Sequence, residues 1–399
     1  MDASTARPNP GHAAISDNSH PGDGPRGGGC PAFASEGAEG PADTLYYWDY
    51  LDLDRLLQAQ RPKSAVAGDP QHDEHLFICV HQTAELWFKQ ILVELESVLA
   101  IFDRLGGAEE SLPSVLARLE RIDQIVRLLI VHLDVLETMT PLDFLDFRGF
   151  LVPASGFQSV QFRLIENRFG LRADDRLRVE GQCYAATLRS DHAARVEDSE
   201  AAPSLLDRVE SWLAAFPHVR TAAFDFPAAY RQAVVALHEG ERARIADGLA
   251  GQDVLRRKRL KGFDSGARKF EAVLDRAGWD ADVAQGRRRL SYDAFMAALF
   301  ITSYRDEARL HLPSRVLTAL VDIDESFTVW RQRHALLAHR MLGRQTGTAG
   351  SGYAYLDETA KRYKAFKDLF DISTYLVPRS ALPPLPTDAR HALGFRHAS

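Results

Sequence analysis

Two long segments carry apolar residues at three- and four-residue steps, and nowhere does the chain sustain a two-residue alternation. In residues 74–104 the repeating set is Phe77, His81, Ala84, Phe88, Ile91, Leu95 and Phe102. In residues 313–342 it is Leu320, Ile323, Phe327, Trp330, His334, Leu337 and Met341. A helix turns about 100° per residue, so this spacing gathers each set on one face. Such a face is stable only against other apolar surface. A chain with two stripes this long must build its core from packed helices.

Residues 113–139 add a third stripe, Leu116, Ile122, Val126, Leu129, Leu133 and Leu136, opened by Pro113 in a favoured first-turn position. Shorter helical patterns fall near 158–168, 204–216, 227–249, 267–277 and 291–305. The 313–342 helix is expected to open at Pro313 and to stop at Gly343, a C′ glycine. No Asn-Gly hairpin turn is present. The predicted class is all-α, a bundle of long helices.

Residues 1–43 read differently. They hold 8 glycines and 6 prolines and few large apolar side chains, so burial cannot offset the entropy of ordering. A disordered tail is expected there. One helical domain is expected over 44–399, with an aromatic arm at 44–58 and accessory helices over about 170–290. Overall 45% of residues are hydrophobic and 26% charged, ordinary for a globular chain. The net charge of -7 argues against general nucleic-acid binding. No apolar run reaches the roughly 18 residues of a membrane span, and no secretory signal is readable. Three scattered cysteines, Cys30, Cys79 and Cys183, suit a reducing cytoplasm.

Several constellations bear on chemistry. His81 and His334 each interrupt an apolar stripe. One such histidine is ordinarily a satisfied core residue; two on two long helices point to a cofactor between them. Neutral imidazole on an apolar wall suits haem iron. His339 points about 140° away from His334 and cannot share its site. His72-Asp-Glu-His75 lacks the i, i+4 spacing of a helical zinc site and reads instead as a helix start, with Asp73 or a neighbour as cap. Arg148, among Phe144, Phe147 and Phe150, fits a bidentate carboxylate clamp or a pairing with Asp143 or Asp146. The Gly347–Gly352 loop lacks the ending of a phosphate-binding loop and follows a helix rather than opening one. The run Arg256–Lys261 reads as a solvated basic face.

Four of these stretches are long enough to carry a resemblance: HDEHLFICVHQTAELWFKQILVELESV, DFRGFLVPASGFQSVQFRLIENRFG, DIDESFTVWRQRHALLAHRMLG and STYLVPR. Over about residues 44–380 the chain resembles the haem-dependent tryptophan 2,3-dioxygenase family. The resemblance implies an all-α fold enclosing a haem b pocket. It implies insertion of both atoms of O2 across the indole 2,3-bond of L-tryptophan, giving N-formylkynurenine, the first step of tryptophan catabolism by the kynurenine route. It makes His334 the axial iron ligand, with Trp330 and Ser155 beside the haem. His81 becomes the distal catalytic histidine and Phe77 its neighbour one turn earlier. Arg148 takes the substrate carboxylate, with Phe144 on the pocket wall, and Thr348 contacts the amino group. Tyr47 and Tyr50 match an arm that reaches a neighbouring subunit's site in a homotetramer.

The loop departs from the family pattern. It is one residue shorter, Ala349 replaces a glycine and Ala354 replaces a histidine. That motivates two alternatives, a relative oxygenating a substituted tryptophan and a non-catalytic haem-binding sensor. Retention of Arg148 together with His81 argues against the sensor, which needs no carboxylate clamp.

Overall fold

The computed structural model describes residues 45–105, 109–177, 188–343, 345 and 353–394. Residues 1–43, read above as a tail, and the loop with Thr348 lie outside the described residues. The chain divides into two units, one ending at Ala59 and one starting at Gln60. In the first, α1 (Tyr47–Tyr50) and α2 (Leu53–Leu57) are single turns that bury no residue.

The second unit is mainly helical over its described residues. Among the described residues no strand forms, and Arg220 and Asp225 make an isolated bridge. A short α3 (Lys63–Val66) leads to α4 (His72–Leu105), α5 (Leu112–Leu136), α6 (Pro141–Leu151) and α7 (Val160–Phe169). Then come α8 (Ser190–Ala201), α9 (Leu205–Ala214), α10 (Phe226–Gly248), α11 (Asp253–Val273), α12 (Arg276–Ala284) and α13 (Tyr292–Ser303). The long α14 (Ala308–Leu342) and α15 (Tyr353–Arg362) close the part that shapes the site.

Each long helix forms where its stripe predicts. α4 buries Ile91, Leu95 and Val98 completely, and α5 does the same with Leu119, Ile122 and Val126. Cutting one such side chain to alanine costs about 2–5 kcal/mol. α4 and α5 run antiparallel, with Arg121 against Glu94 at 2.8 Å. α5 and α14 run parallel: Glu120 meets Arg315, Asp123 meets Ser326, and Asp134 meets Arg333.

Two boundaries differ from expectation. α14 starts at Ala308, so Pro313 lies inside it rather than at its first turn. Its missing N–H falls close to the helix start, where an intrahelical bond is least costly to lose. α11 begins at Asp253 and absorbs the basic run 256–261, so the expected short helix over 267–277 is the end of a longer one. At the start of α4, Asp73 sits in the first turn rather than at the cap. Glu74 caps a different helix: its carboxylate accepts from the N–H groups of Lys63 and Ser64 at 2.6 and 2.9 Å.

Candidate functional site

The three long helices enclose a cavity of about 330 Å³. α4 contributes Phe77, Val80, His81, Ala84, Glu85 and Phe88. α5 contributes Leu129, His132, Leu133 and Leu136, and α14 contributes Trp330, His334, Leu337 and Met341. Phe144 and Arg148 of α6, the turn at Ser155, and residues of α15 complete the wall. Seven residues singled out in the sequence therefore meet in one cavity: Phe77, His81, Phe144, Arg148, Ser155, Trp330 and His334. Thr348 lies outside the described residues, and Tyr47 and Tyr50 belong to the first unit.

The stripes explain this placement. On α4 the four-residue step from Phe77 to His81 to Glu85 aligns three side chains on the cavity face. On α14 the same step sets His334 one turn beyond Trp330, with ring centroids 5.4 Å apart and planes within 6°. His334 makes no hydrogen bond among the described residues. Burial, with a smaller contribution from His81, pushes its pKa down to about 4. It is a neutral imidazole with a free lone pair on an apolar wall. That donor set fits a haem iron.

His81 is wired differently. Its Nδ1 lies 2.7 Å from the carbonyl oxygen of Phe77. A carbonyl only accepts, so Nδ1 carries the proton and Nε2 is left as an acceptor. Burial lowers the pKa of His81, partly countered by the Phe77 carbonyl and the Glu85 charge, and reinforced by His132. The His81 side chain lines the cavity and keeps solvent-accessible surface there. The Phe77 ring lies 4.0 Å from the His81 ring at a 33° tilt, and Phe144 and Phe147 close an aromatic box at 5.9 and 5.6 Å from Phe77.

Arg148 donates from Nη1 to Oε1 of Gln345 at 2.9 Å. Asp143, one of the two protein acids proposed for it, is held in the α6 capping box with Thr140. Ser155 caps the turn Gly156–Gln158, where Gln158 accepts from the Ser155 N–H at 3.2 Å. Along the wall, Glu166 is buried among Arg163, Arg176 and Arg331 at 3.0, 2.6 and 3.0 Å. Burial opposes its charge, yet the three guanidiniums hold its pKa down at about 2. Arg331 is three residues before His334, and it also donates to the carbonyl of Tyr363 at 3.0 Å. This network braces the turn of α14 that carries His334.

Sequence reasoning missed Glu85, His132, Gln345 and the Glu166 network. Two left a readable signal. Glu85 continues the Phe77–His81 step, and His132 follows Leu129 by three residues. Other residues singled out in the sequence lie as follows on the described residues. His339 lies apart from the cavity, its ring 4.5 Å from Tyr353. No cluster of His, Cys, Asp or Glu among the described residues is arranged to hold a metal ion by itself. In the basic run, Arg256 pairs with Asp253 at 2.8 Å on the exposed face of α11.

Comparison with known proteins follows the same line. The sequence pattern of the tryptophan 2,3-dioxygenase family matches residues 34–376. A tryptophan 2,3-dioxygenase of Bdellovibrio bacteriovorus is 45% identical over 354 residues, covering 88% of this chain and 99% of the relative. One of Alteromonas mediterranea is 40% identical over 354 residues, covering 88% and 98%. One of Aedes aegypti is 42% identical over 360 residues, covering 89% and 91%.

Proposed function

This chain belongs to the tryptophan 2,3-dioxygenase family, and on that premise we propose how its cavity performs that reaction. The enzyme cleaves the 2,3-bond of the indole of L-tryptophan with O2. One oxygen atom ends in the formyl group and the other in the ketone of N-formylkynurenine. The observation that carries this reading is one mostly apolar cavity lined by His334, a neutral imidazole with no hydrogen bond among the described residues, and by His81, whose Nδ1 is engaged by the Phe77 carbonyl so that Nε2 is its acceptor.

Haem b held by His334, when bound, supplies the iron at which dioxygen is activated. Trp330 stacks on the His334 ring, and Ser155 lines the same cavity. The protein's own contribution is positioning. Nε2 of His81 accepts the indole N–H and orients the ring. Phe77 and Phe144 hold the indole flat and keep water out. Arg148 binds the carboxylate through its planar fork, exchanging the neutral Gln345 partner for a charged one. Thr348 contacts the amino group by the carry-over from the family motif. His81 needs no role as obligatory base, because the indole is itself electron-rich.

Assembly as a homotetramer is part of this reading. It is supported by exposed apolar side chains on two adjoining helices, Leu128, Val131 and Val135 of α5 with Val329 and Leu336 of α14. Exposed apolar side chains gathered on neighbouring helices are the kind of surface that subunit contacts cover. The arm with Tyr47 and Tyr50, both largely exposed, is the segment proposed to complete a neighbour's site. A cytoplasmic location rests on the cysteine usage. No helix among the described residues is long and apolar enough to cross a membrane.

The test is product mass from tryptophan and isotopically labelled O2. The expected product carries two labelled oxygen atoms. A product with one, or none, overturns the dioxygenase reading. A ring-substituted tryptophan turned over faster than tryptophan itself would move the substrate to the variant that the shortened loop suggests.

A further inference from the structure

One turn below His81, Glu85 turns its carboxylate into the cavity wall. Ser159 donates to Oε1 from its hydroxyl at 2.6 Å, and Gln161 donates to Oε2 from Nε2 at 2.8 Å. The same Gln161 amide donates to the backbone carbonyl of Glu85 at 2.8 Å. Ser159 is also the N-cap of α7, accepting from the N–H of Phe162 at 3.3 Å. It directly follows the turn that Ser155 caps. A carboxylate that accepts from two side chains on facing segments is held in one place.

We propose that Glu85 is a positioning residue for the site: its carboxylate fastens the Ser155–Ser159 turn to α4 and sets a fixed negative charge beneath the His81 imidazole. The proposal rests on the reading of His81 as the indole acceptor. The clamp fixes the gap between His81 on α4 and Ser155 on the facing wall. The charge tunes the proton affinity of the ring, because an anion nearby favours the imidazolium. Among the described residues, the other titratable or charged groups lining the cavity are His132 of α5, His334 and Arg331 of α14, Arg148 of α6, Glu166 of α7, Tyr353 and Tyr355 of α15, and Tyr363. On α7, Arg163 is committed to Glu166. Glu85 is thus the anion closest in the chain to His81 that faces the cavity.

The experiment compares pH profiles of kcat/KM for tryptophan in haem-loaded wild type, His81→Ala, Glu85→Gln and Glu85→Asp, with NMR titration of ring-labelled histidine alongside. Loss of the acid limb in His81→Ala assigns that limb to His81; its persistence there would overturn the reading of His81 and leave Glu85 to the NMR titration. Glu85→Gln removes the anion, so the limb and the His81 titration move to lower pH by about half a unit or more. Glu85→Asp keeps the charge and restores the limb toward its original place. An unmoved limb and an unmoved His81 titration in Glu85→Gln overturn the proposal. Should Glu85→Gln fail to fold, Ser159→Ala with Gln161→Leu decides. It keeps the charge and loosens the clamp, so KM rises at least about threefold with the limb in place, and an unchanged KM overturns the proposal.

Discussion

Nδ1 of His81 donates to the carbonyl oxygen of Phe77 across 2.7 Å, and this contact decides which nitrogen the ring offers to the cavity. Because the backbone accepts, the other nitrogen must. Burial lowers the ring's pKa, so it is neutral at pH 7 and gains a proton only below the ordinary imidazole value near 6.5. The acceptor is lost as pH falls. kcat/KM is expected flat above about pH 6.5 and falling below it. His81→Ala keeps its haem, loses rate, and loses this acid limb. A profile that rises on acidification contradicts the assignment.

His334→Ala is expected to lose stable haem loading, read as a missing Soret band after purification with added haem. In His334→Gly, added imidazole restores the band. The apoprotein should also show the ring's burial. The folded pKa of about 4 lies below the unfolded value of 6.5. Stability is full above pH 6.5 and falls as acid protonates the unfolded chain first, by up to about 3 kcal/mol by pH 4. Urea midpoints of the apoprotein against His334→Gln isolate that slope.

Arg148 sets the amino-acid requirement. A site that pairs a guanidinium with a carboxylate rejects the analogue that lacks it, at roughly 2–5 kcal/mol. Tryptamine should fall at least about a hundredfold below tryptophan in kcat/KM. Arg148→Ala should erase most of that difference. Equal turnover of the two substrates by the unaltered enzyme would mean that Arg148 serves the protein, through Gln345, and not the substrate.

Glu166 joins three arginines on two elements and the segment between α7 and α8. Glu166→Ala leaves buried guanidiniums without their anion, at about 3–5 kcal/mol. Thermal melting should show a large loss, with haem affinity reduced because Arg331 and His334 share one turn of α14. The carboxyl's folded pKa of about 2 lies below its ordinary 4.5. Its contribution is therefore present above pH 4.5 and lost as pH falls toward 2. A melting point unchanged by the substitution would remove the bracing role.

The arm is tested by truncation. Removing residues 1–40 should leave assembly and activity intact. Removing residues 1–52 takes Tyr47, Trp48 and Tyr50 and should damage both. Light scattering and turnover on the two proteins decide. An active monomer lacking residues 1–52 rules out a site shared between subunits.

Much of the fold is local and so was legible in the chain. The four-residue steps of α4 and α14 need only periodicity to be read, and they place His81 and His334 on the apolar faces of their helices without any knowledge of neighbours. Arg148 among aromatics and the motif around Ser155 were visible for the same reason, each being contained in a few consecutive residues. Helix ends were less so. Pro313 looked like a first-turn residue because proline is favoured there, whereas the helix begins five residues earlier, at Ala308. What the sequence by itself determined is thus the helical class, the buried faces and the residue types that chemistry needs. Only the tertiary structure decided that one stripe of α4 is solid core at Ile91 and Leu95 but cavity wall at Phe77 and His81, because a cavity depends on what stands opposite. It also decided the polar partners. Arg148 and Gln345 are 197 residues apart, Glu85 and Ser159 are 74, and Glu166 and Arg331 are 165. Hydrogen bonds reach about 3 Å and carry no trace in local spacing, so pairs this distant in the chain exist only once the helices have packed.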